Sequence, residues 1–348
     1  MVAQQTDQVA TLGMFILDSF KYSDDYSSTH KPSLVPGEWY IGGGGTYATI
    51  GARMWLSPDR IGMVIHRGLD FPAKIKEQLE SYSPHLFTFL SDPAHPHTTR
   101  ALNTYSNERR DFAYLTPKRQ VHLSEIYAAT SAAPGYVHLI CSPARLLTIL
   151  KERRARFPAW EPQWVWEPVP DSCRPENLAQ LVECAGEVAV FSPNELEASE
   201  LLGHPTPPCS PGDIQAIGDH FHRAGFRAVV IRSGKRGSYG VGERASDGPV
   251  QRFWVPALVQ DQRLVVDQTG AGNAFLGGLM AGLARGESLL DAACYGSVSS
   301  GLTITQLGLP ALSHRDDVRP SSELWNGSCS PPELLDQIRQ KVSLVPSE

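Results

Sequence analysis

Residues 267–278, "DQTGAGNAFLGG", set an aspartate, a glycine-alanine-glycine turn and a run of small apolar residues in direct succession. In "LVVDQTGAGNAFLGGLMAGLARG" an apolar strand ends at Asp267 and a helix starts around Gly272 or Asn273. Free N–H groups and the positive end of the helix dipole at such a start make an anion site. Gly270 and Gly272 let the backbone come close to a phosphate and adopt conformations that other residues resist. Tight packing alone also produces glycine-rich helix starts, and one Gly-x-Gly is weak evidence. The strand, turn, helix and adjoining carboxylate together favour an anion. Asn273 is the anomaly. A phosphoryl-transfer site of this design calls for a carboxylate at the helix start. An amide donates or orients, but does not accept a proton at neutral pH.

The elements around this turn follow an α/β rhythm. "ATLGMFILDSF" (10–20) reads as one buried strand that delivers an aspartate near its end. "WYIGGGGTYATIGARMW" (39–55) runs from glycines into a helix whose small residues suit tight packing. "IGMVIHRG" (61–68) is the next strand and "PAKIKEQLESY" (72–82) an amphipathic helix, an order that predicts a mostly parallel sheet. "TTRALNTYSNERRDFAYLTP" (98–117) alternates about the turn-like "SNE", a hairpin signal for an accessory antiparallel sheet or lid. Strands at 135–142, 163–170, 188–193 and 228–234 then alternate with helices at 176–186, 194–203 and 213–225. One α/β domain over 10–312 is expected, its lid drawn from about 15–60 and 95–120, followed by a C-terminal loop and short helix at 313–348.

Composition narrows the classes. The chain has 348 residues, is 41% hydrophobic and 20% charged, and carries a net charge of -6. That balance disfavours direct nucleic-acid binding and gives no basic surface for an anionic membrane. No apolar stretch approaches the ~20 residues of a membrane span. The six cysteines are far apart with no CxxC pair, so neither a metal set nor a disulfide framework is expected. The N-terminal stretch lacks a basic region before its apolar run, and a cytoplasmic protein is the expectation. "GGGG" invites a dinucleotide-binding reading, but lacks the Gly-x-Gly-x-x-Gly spacing and an acidic residue about 20 positions on.

The turn resembles the second signature of the PfkB (ribokinase-like) carbohydrate kinases, Asp-Thr-x-Gly-Ala-Gly-Asp-x-Phe, here Asp267, Gln268, Thr269, Gly270, Ala271, Gly272, Asn273, Ala274 and Phe275. "GMFILDSF" is similar to the family's first strand, with Asp18 at the acceptor-binding aspartate. "GGGGTYATIGARMW", with Gly43 and Gly44, resembles its di-glycine motif, and the 98–117 hairpin its lid with a Gly-Glu-Arg turn. "SPNELEASELLG" resembles its Asn-x-x-Glu motif. There the resemblance gives Asn194 and Glu197 the ordering of phosphate and of Mg²⁺, Glu197 through water. Alone, this pair reads more readily as a helix N-cap and its capping-box partner. "VVIRSGKRGSYG" resembles the nucleotide-contact strand, giving Ser233, Gly234 and Gly237, and residues 296–308 the segment beside the adenine.

The resemblance implies a three-layer α/β sandwich with a mostly parallel sheet and a small β lid. It implies ATP and Mg²⁺, with room for a monovalent cation, a small-molecule acceptor, and a homodimer through the lid as an assembly the fold allows. Gly270, Ala271 and Gly272 would stabilise the transferring phosphoryl group, with Asp267 and Thr269 beside them. Three positions depart from the pattern: Asn273 replaces the base, Thr46 a sugar-contacting asparagine, and Glu167 with Pro168 an Asp-Pro-Asn strand end. This set is similar to a fungal branch of the family. The expected activity is phosphotransfer to a hydroxyl with an atypical base position; the alternative is a pseudokinase acting through protein partners.

Overall fold

The computed structural model describes residues 7–22, 37–106, 110–130, 132–204, 206–243, 250–314, 323–327 and 329–346. The apolar run at 10–20, expected as one strand, is two: β1 (Val9–Thr11) and β2 (Ile16–Tyr22) lie in different sheets. Gly13 marks the break, where the chain passes so close to another segment that a Cβ would lie 2.5 Å from the Gly45 nitrogen. β3 (Tyr40–Gly42) then leads into α1 (Gly44–Arg53), followed by β4 (Ile61–Arg67), α2 (Ala73–Glu80) and β5 (Phe87–Ser91). β6 (Arg100–Tyr105) and β7 (Arg110–Tyr114) form the expected hairpin. Its centre at 107–109, where the Gly-Glu-Arg turn was expected, lies outside the described residues.

After α3 (Leu123–Ala129), strands and helices alternate through β8 (Tyr136–Ile140), α4 (Pro143–Arg156), β9 (Gln163–Glu167), α5 (Leu178–Glu183) and β10 (Val188–Phe191). Next come α6 (Glu195–Leu201), α7 (Pro211–Arg223), β11 (Ala228–Arg232), β12 (Ser238–Glu243) and β13 (Val250–Val255). The chain closes with α8 (Ala271–Ala284), α9 (Leu289–Ile304), β14 (Leu312–His314), β15 (Glu323–Trp325), α10 (Pro331–Arg339) and β16 (Ser343–Val345). Beyond the expected short helix, the C-terminal stretch adds β16 to the large sheet beside β13.

That sheet runs β16-β13-β12-β11-β10-β9-β8-β1-β4-β5, parallel from β11 to β5 with an antiparallel margin. Both faces are covered, so its strands are apolar on both sides. Trp164 and Trp166 of β9 enter one core with α4 to α7, while Val165 enters the other with α1, α8 and α9. This is a three-layer sandwich. The chain leaves β1 outward to β4 and β5, then returns to β8 and builds the other way. Such reversals place ligands at the carboxyl ends of the strands.

The second sheet, β3-β2-β6-β7, is mixed rather than antiparallel, because β2 and β6 pair in parallel. Both leave the carboxyl edge of the large sheet, one after β1 and the other after β5, and so run the same way. Among the described residues no helix is long and apolar enough to cross a membrane.

Candidate active site

Gly270 caps α8 with φ 76°, in the left-handed region, and a Cβ there would lie 2.1 Å from the Tyr47 ring. Conformation and contact both demand glycine. The Asp267 carboxylate accepts the Thr269 N–H at 3.0 Å, which turns the chain into the helix. Tyr105, ending β6, brings its hydroxyl within 3.2 Å of Thr269 Oγ1, so the small sheet touches the turn. Opposite stands the start of α1. α1 and α8 pack backbone to backbone, with Gly51 against the Ala274 carbonyl and Gly277 against the Ala48 carbonyl. The approach aims two helix N-termini at one place, and a Cβ on Gly44 would lie 3.0 Å from Asn273 Nδ2.

Asn273 Nδ2 donates to Glu167 Oε1 at the end of β9. The same oxygen meets His138 Nε2 at 3.0 Å, and Oε2 pairs with Arg232 Nη2 at 2.9 Å. His138 Nδ1 lies 2.9 Å from Thr11 Oγ1, which itself accepts the Gly13 N–H at 2.9 Å. A proton on Nε2 satisfies this chain: the ring donates to the carboxylate and accepts the Thr11 hydroxyl. Burial alone would raise the Glu167 carboxyl, but the Arg232 guanidinium, His138 and the Asn273 amide hold it below its usual value. An ionised carboxylate with both oxygens engaged is a poor proton acceptor. It also fixes the amide, leaving Asn273 Oδ1 to receive a hydroxyl.

On the acceptor side, Asp18 is 3% exposed and lies against Gly42, where a Cβ would fall 2.0 Å from Asp18 Oδ2. Tyr40, Asp18, Ala101 and Tyr114 oppose one another across the small sheet and share one face. Burial and then the Asp18 charge push the Tyr114 hydroxyl above its usual value, which marks the two as neighbours. Gly43, at φ 91°, turns the chain into α1. Thr46 does not face a pocket: it is fully buried, and its hydroxyl donates to the Gly42 carbonyl at 2.9 Å. It supports the glycine turn.

A cavity of about 300 Å³ opens on the other side of the α8 turn. Its lining includes the polar residues Asn194, Arg232 and Lys235 with Gly272, and the apolar residues Leu258, Val259, Phe275 and Ile304. A lining of both kinds suits a phosphate chain and a base. Gly234 and Gly237 line it at φ 52° and 91°, while Ser233 is buried behind them. Ser297, Ser300 and Gly301, within the segment expected beside the base, are on its wall.

Asn194 and Glu197 form a capping box on α6: Asn194 Oδ1 accepts from the N–H groups of Leu196 and Glu197, and Glu197 Oε2 accepts the Asn194 N–H at 2.8 Å. Burial pushes the Glu197 carboxyl up to about 7, with Arg232 pulling it back. The donor set does not suit Mg²⁺ here. Arg232 Nη2 stands 2.9 Å from Glu167 and 3.5 Å from Glu197, so a guanidinium already meets both carboxylates. Among the described residues no group of three or more His, Cys, Asp or Glu could hold a metal ion.

Arg232, His138, Tyr47 and Tyr105 were not singled out in the sequence. Arg232 left a signal, a charge ending the buried strand "AVVIRSG" at a sheet's carboxyl edge. His138, inside an apolar strand, reads as a core residue.

Residues 165–314 match the pfkB family of carbohydrate kinases. Protein MAK32 of Saccharomyces cerevisiae is 30% identical over 337 residues, covering 92% of this chain and 88% of that protein. An uncharacterised protein of Schizosaccharomyces pombe is 29% identical over 92% of this chain and 90% of its own length. Among solved structures, ribokinase from Giardia lamblia superposes with TM-score 0.64 at 18% identity, over 97% of this chain and 99% of that one. Arabidopsis thaliana ribokinase complexed with ribose and ATP gives 0.64 at 17%, over 95% and 98%.

Proposed function

The chain belongs to the pfkB family of carbohydrate kinases, and from that premise we propose that it transfers the terminal phosphoryl group of ATP to a hydroxyl of a small sugar- or nucleoside-like acceptor. One juxtaposition carries the reading: Asn273 stands between Gly44 of the acceptor-side turn and the α8 phosphate turn. The Arabidopsis ribokinase was solved with ribose and ATP; the same pair here would meet across Asn273. Asp18 binds the acceptor. The N–H groups of Gly270, Ala271 and Gly272, at a helix N-terminus, hold charge on the phosphoryl oxygens. Asn273 Oδ1 orients the hydroxyl.

At the base position no carboxylate takes the proton, since Asn273 is an amide and Glu167 behind it has both oxygens engaged. General-base catalysis is worth roughly 10²–10⁴-fold, and positioning with electrostatics supplies most of the rest of phosphoryl-transfer catalysis. The proposal is therefore a slow kinase. The Asn273–Glu167 hydrogen bond favours a second reading, a nucleotide-binding pseudokinase that acts through protein partners. A cytoplasmic setting belongs to either reading. A homodimer through the small sheet belongs to both.

The test measures ATP-dependent phosphorylation across a panel of sugars, nucleosides and cell-extract metabolites. Wild type runs beside the exchange variant Asn273→Asp with Glu167→Gln, which swaps amide and carboxylate across one hydrogen bond. Wild-type turnover above background, raised about 10²-fold or more in the exchange variant, supports the kinase. Turnover in the variant alone supports the pseudokinase. Turnover in neither, with both folded, removes phosphotransfer.

A further inference from the structure

Arg232 is where the site departs furthest from an ordinary anion turn. Its side chain is 12% exposed and lies against the first turn of α8, where a Cβ on Gly272 would fall 1.9 Å from Nη1. Nη2 donates to the Ser192 carbonyl at 2.9 Å and pairs with Glu167 and Glu197. Nε is buried without a hydrogen-bond partner, and among the described residues Nη1 meets no acceptor. A cation beside a helix N-terminus is repelled by the dipole. Two positive sources thus converge on Gly272, which with Lys235 is among the residues lining the cavity. An anion between them would relieve the repulsion and give Nη1 its partner.

We propose that Arg232 is the built-in counter-cation of this phosphate site, holding the nucleotide's phosphates directly, so that the protein binds its nucleotide without a divalent metal. The inference rests on the reading of the cavity as a nucleotide site. Among the described residues no carboxylate lines the cavity, and the two that meet Arg232, Glu167 and Glu197, stand 2.9 and 3.5 Å from its Nη2. With Nη2 engaged and Nε buried, Nη1 is the nitrogen left to donate its N–H groups to phosphate oxygens.

Calorimetric titration of the full chain with ADP and ATP, in Mg²⁺ and in EDTA, tests this. The expected result for wild type is the same affinity in both, within a few-fold. Arg232→Gln is expected to lose about tenfold or more in EDTA, the worth of one charge-assisted contact, and to regain part of it in Mg²⁺. Because that variant strands Glu167, Arg232→Gln with Glu167→Gln carries the test if the single variant does not fold. A wild-type affinity that falls tenfold or more in EDTA overturns the inference while leaving the nucleotide reading in place. Wild-type-like binding by the arginine variants in EDTA also overturns it. Binding of neither nucleotide under either condition removes the cavity reading, and the inference with it.

Discussion

Glu197 and Glu167, both facing Arg232 Nη2, respond to pH in opposite senses. The folded Glu197 carboxyl titrates at about 7 against 4.5 ordinarily, burial being the main cause. Between those values the folded protein holds a proton that the unfolded chain has released, so stability falls as pH rises through the window. Glu167 is held below 4.5; its contribution is present above the unfolded value and is lost as pH falls through the lower folded one. Urea midpoints across pH should therefore decline from about 4.5 to 7, by something on the order of 2 kcal/mol. Glu197→Gln keeps an oxygen for the Asn194 N–H and should flatten that decline while leaving the acid limb in place. A decline of unchanged size in the variant would assign it to other groups. At this scale the sequence showed Asn273, Asp18 and the glycines through their motif, and even the amide at the base position. It did not show that Glu167 engages that amide, because a strand end and a helix start 106 residues apart meet only through the tertiary fold.

The convergence of two helix starts depends on glycines that bring backbone against backbone. Gly277→Ala places a Cβ 1.9 Å from the Ala48 carbonyl, which neither helix can avoid by rotating a side chain. It should cost roughly 1–3 kcal/mol, as overpacking does, and weaken acceptor and nucleotide binding together by moving α1 from α8. Gly212→Ala in the first turn of α7 meets nothing nearer than Ser210 Oγ at 3.6 Å and should be neutral or slightly stabilising in the same thermal melts. Equal losses in both variants would show that helix propensity, not close approach, governs these sites. The sequence disclosed the tight packing through "GGLMAG" and "ATIGA". The division of residues 10–20 was hidden, since an unbroken apolar run carries no mark of a change of sheet other than Gly13. The capping box was also legible, and it took up the pair that the resemblance assigned to phosphate and magnesium.

At the scale of the molecule, the loop before α8, where no strand forms up to Asp267, supplies the phosphate turn, the small sheet supplies Asp18, and the two meet where Tyr105 reaches Thr269. The mostly parallel sheet was readable from alternating elements, and the hairpin from its period. Its parallel joint with β2 was not, because that depends on where both strands leave the large sheet. β7 is the outermost strand of the small sheet, and Phe112 and Leu115 are exposed by 45% and 53% on or just beyond it. An edge strand with unpaired backbone groups and exposed apolar side chains is a template for another chain, although β7 opens on Arg110 and Asp111, charged residue types that blunt such edges. A second copy pairing β7 with β7 would bury Phe112 and Leu115 and hold the small sheet over the acceptor side by its outer edge. The expected result in sedimentation equilibrium is a dimer for wild type. Phe112→Lys with Leu115→Lys is expected to be a monomer with an unchanged melting profile, because both side chains are largely outside the core. A wild-type monomer across the micromolar range would remove the dimer. A dimer unaffected by both lysines would move its interface away from β7.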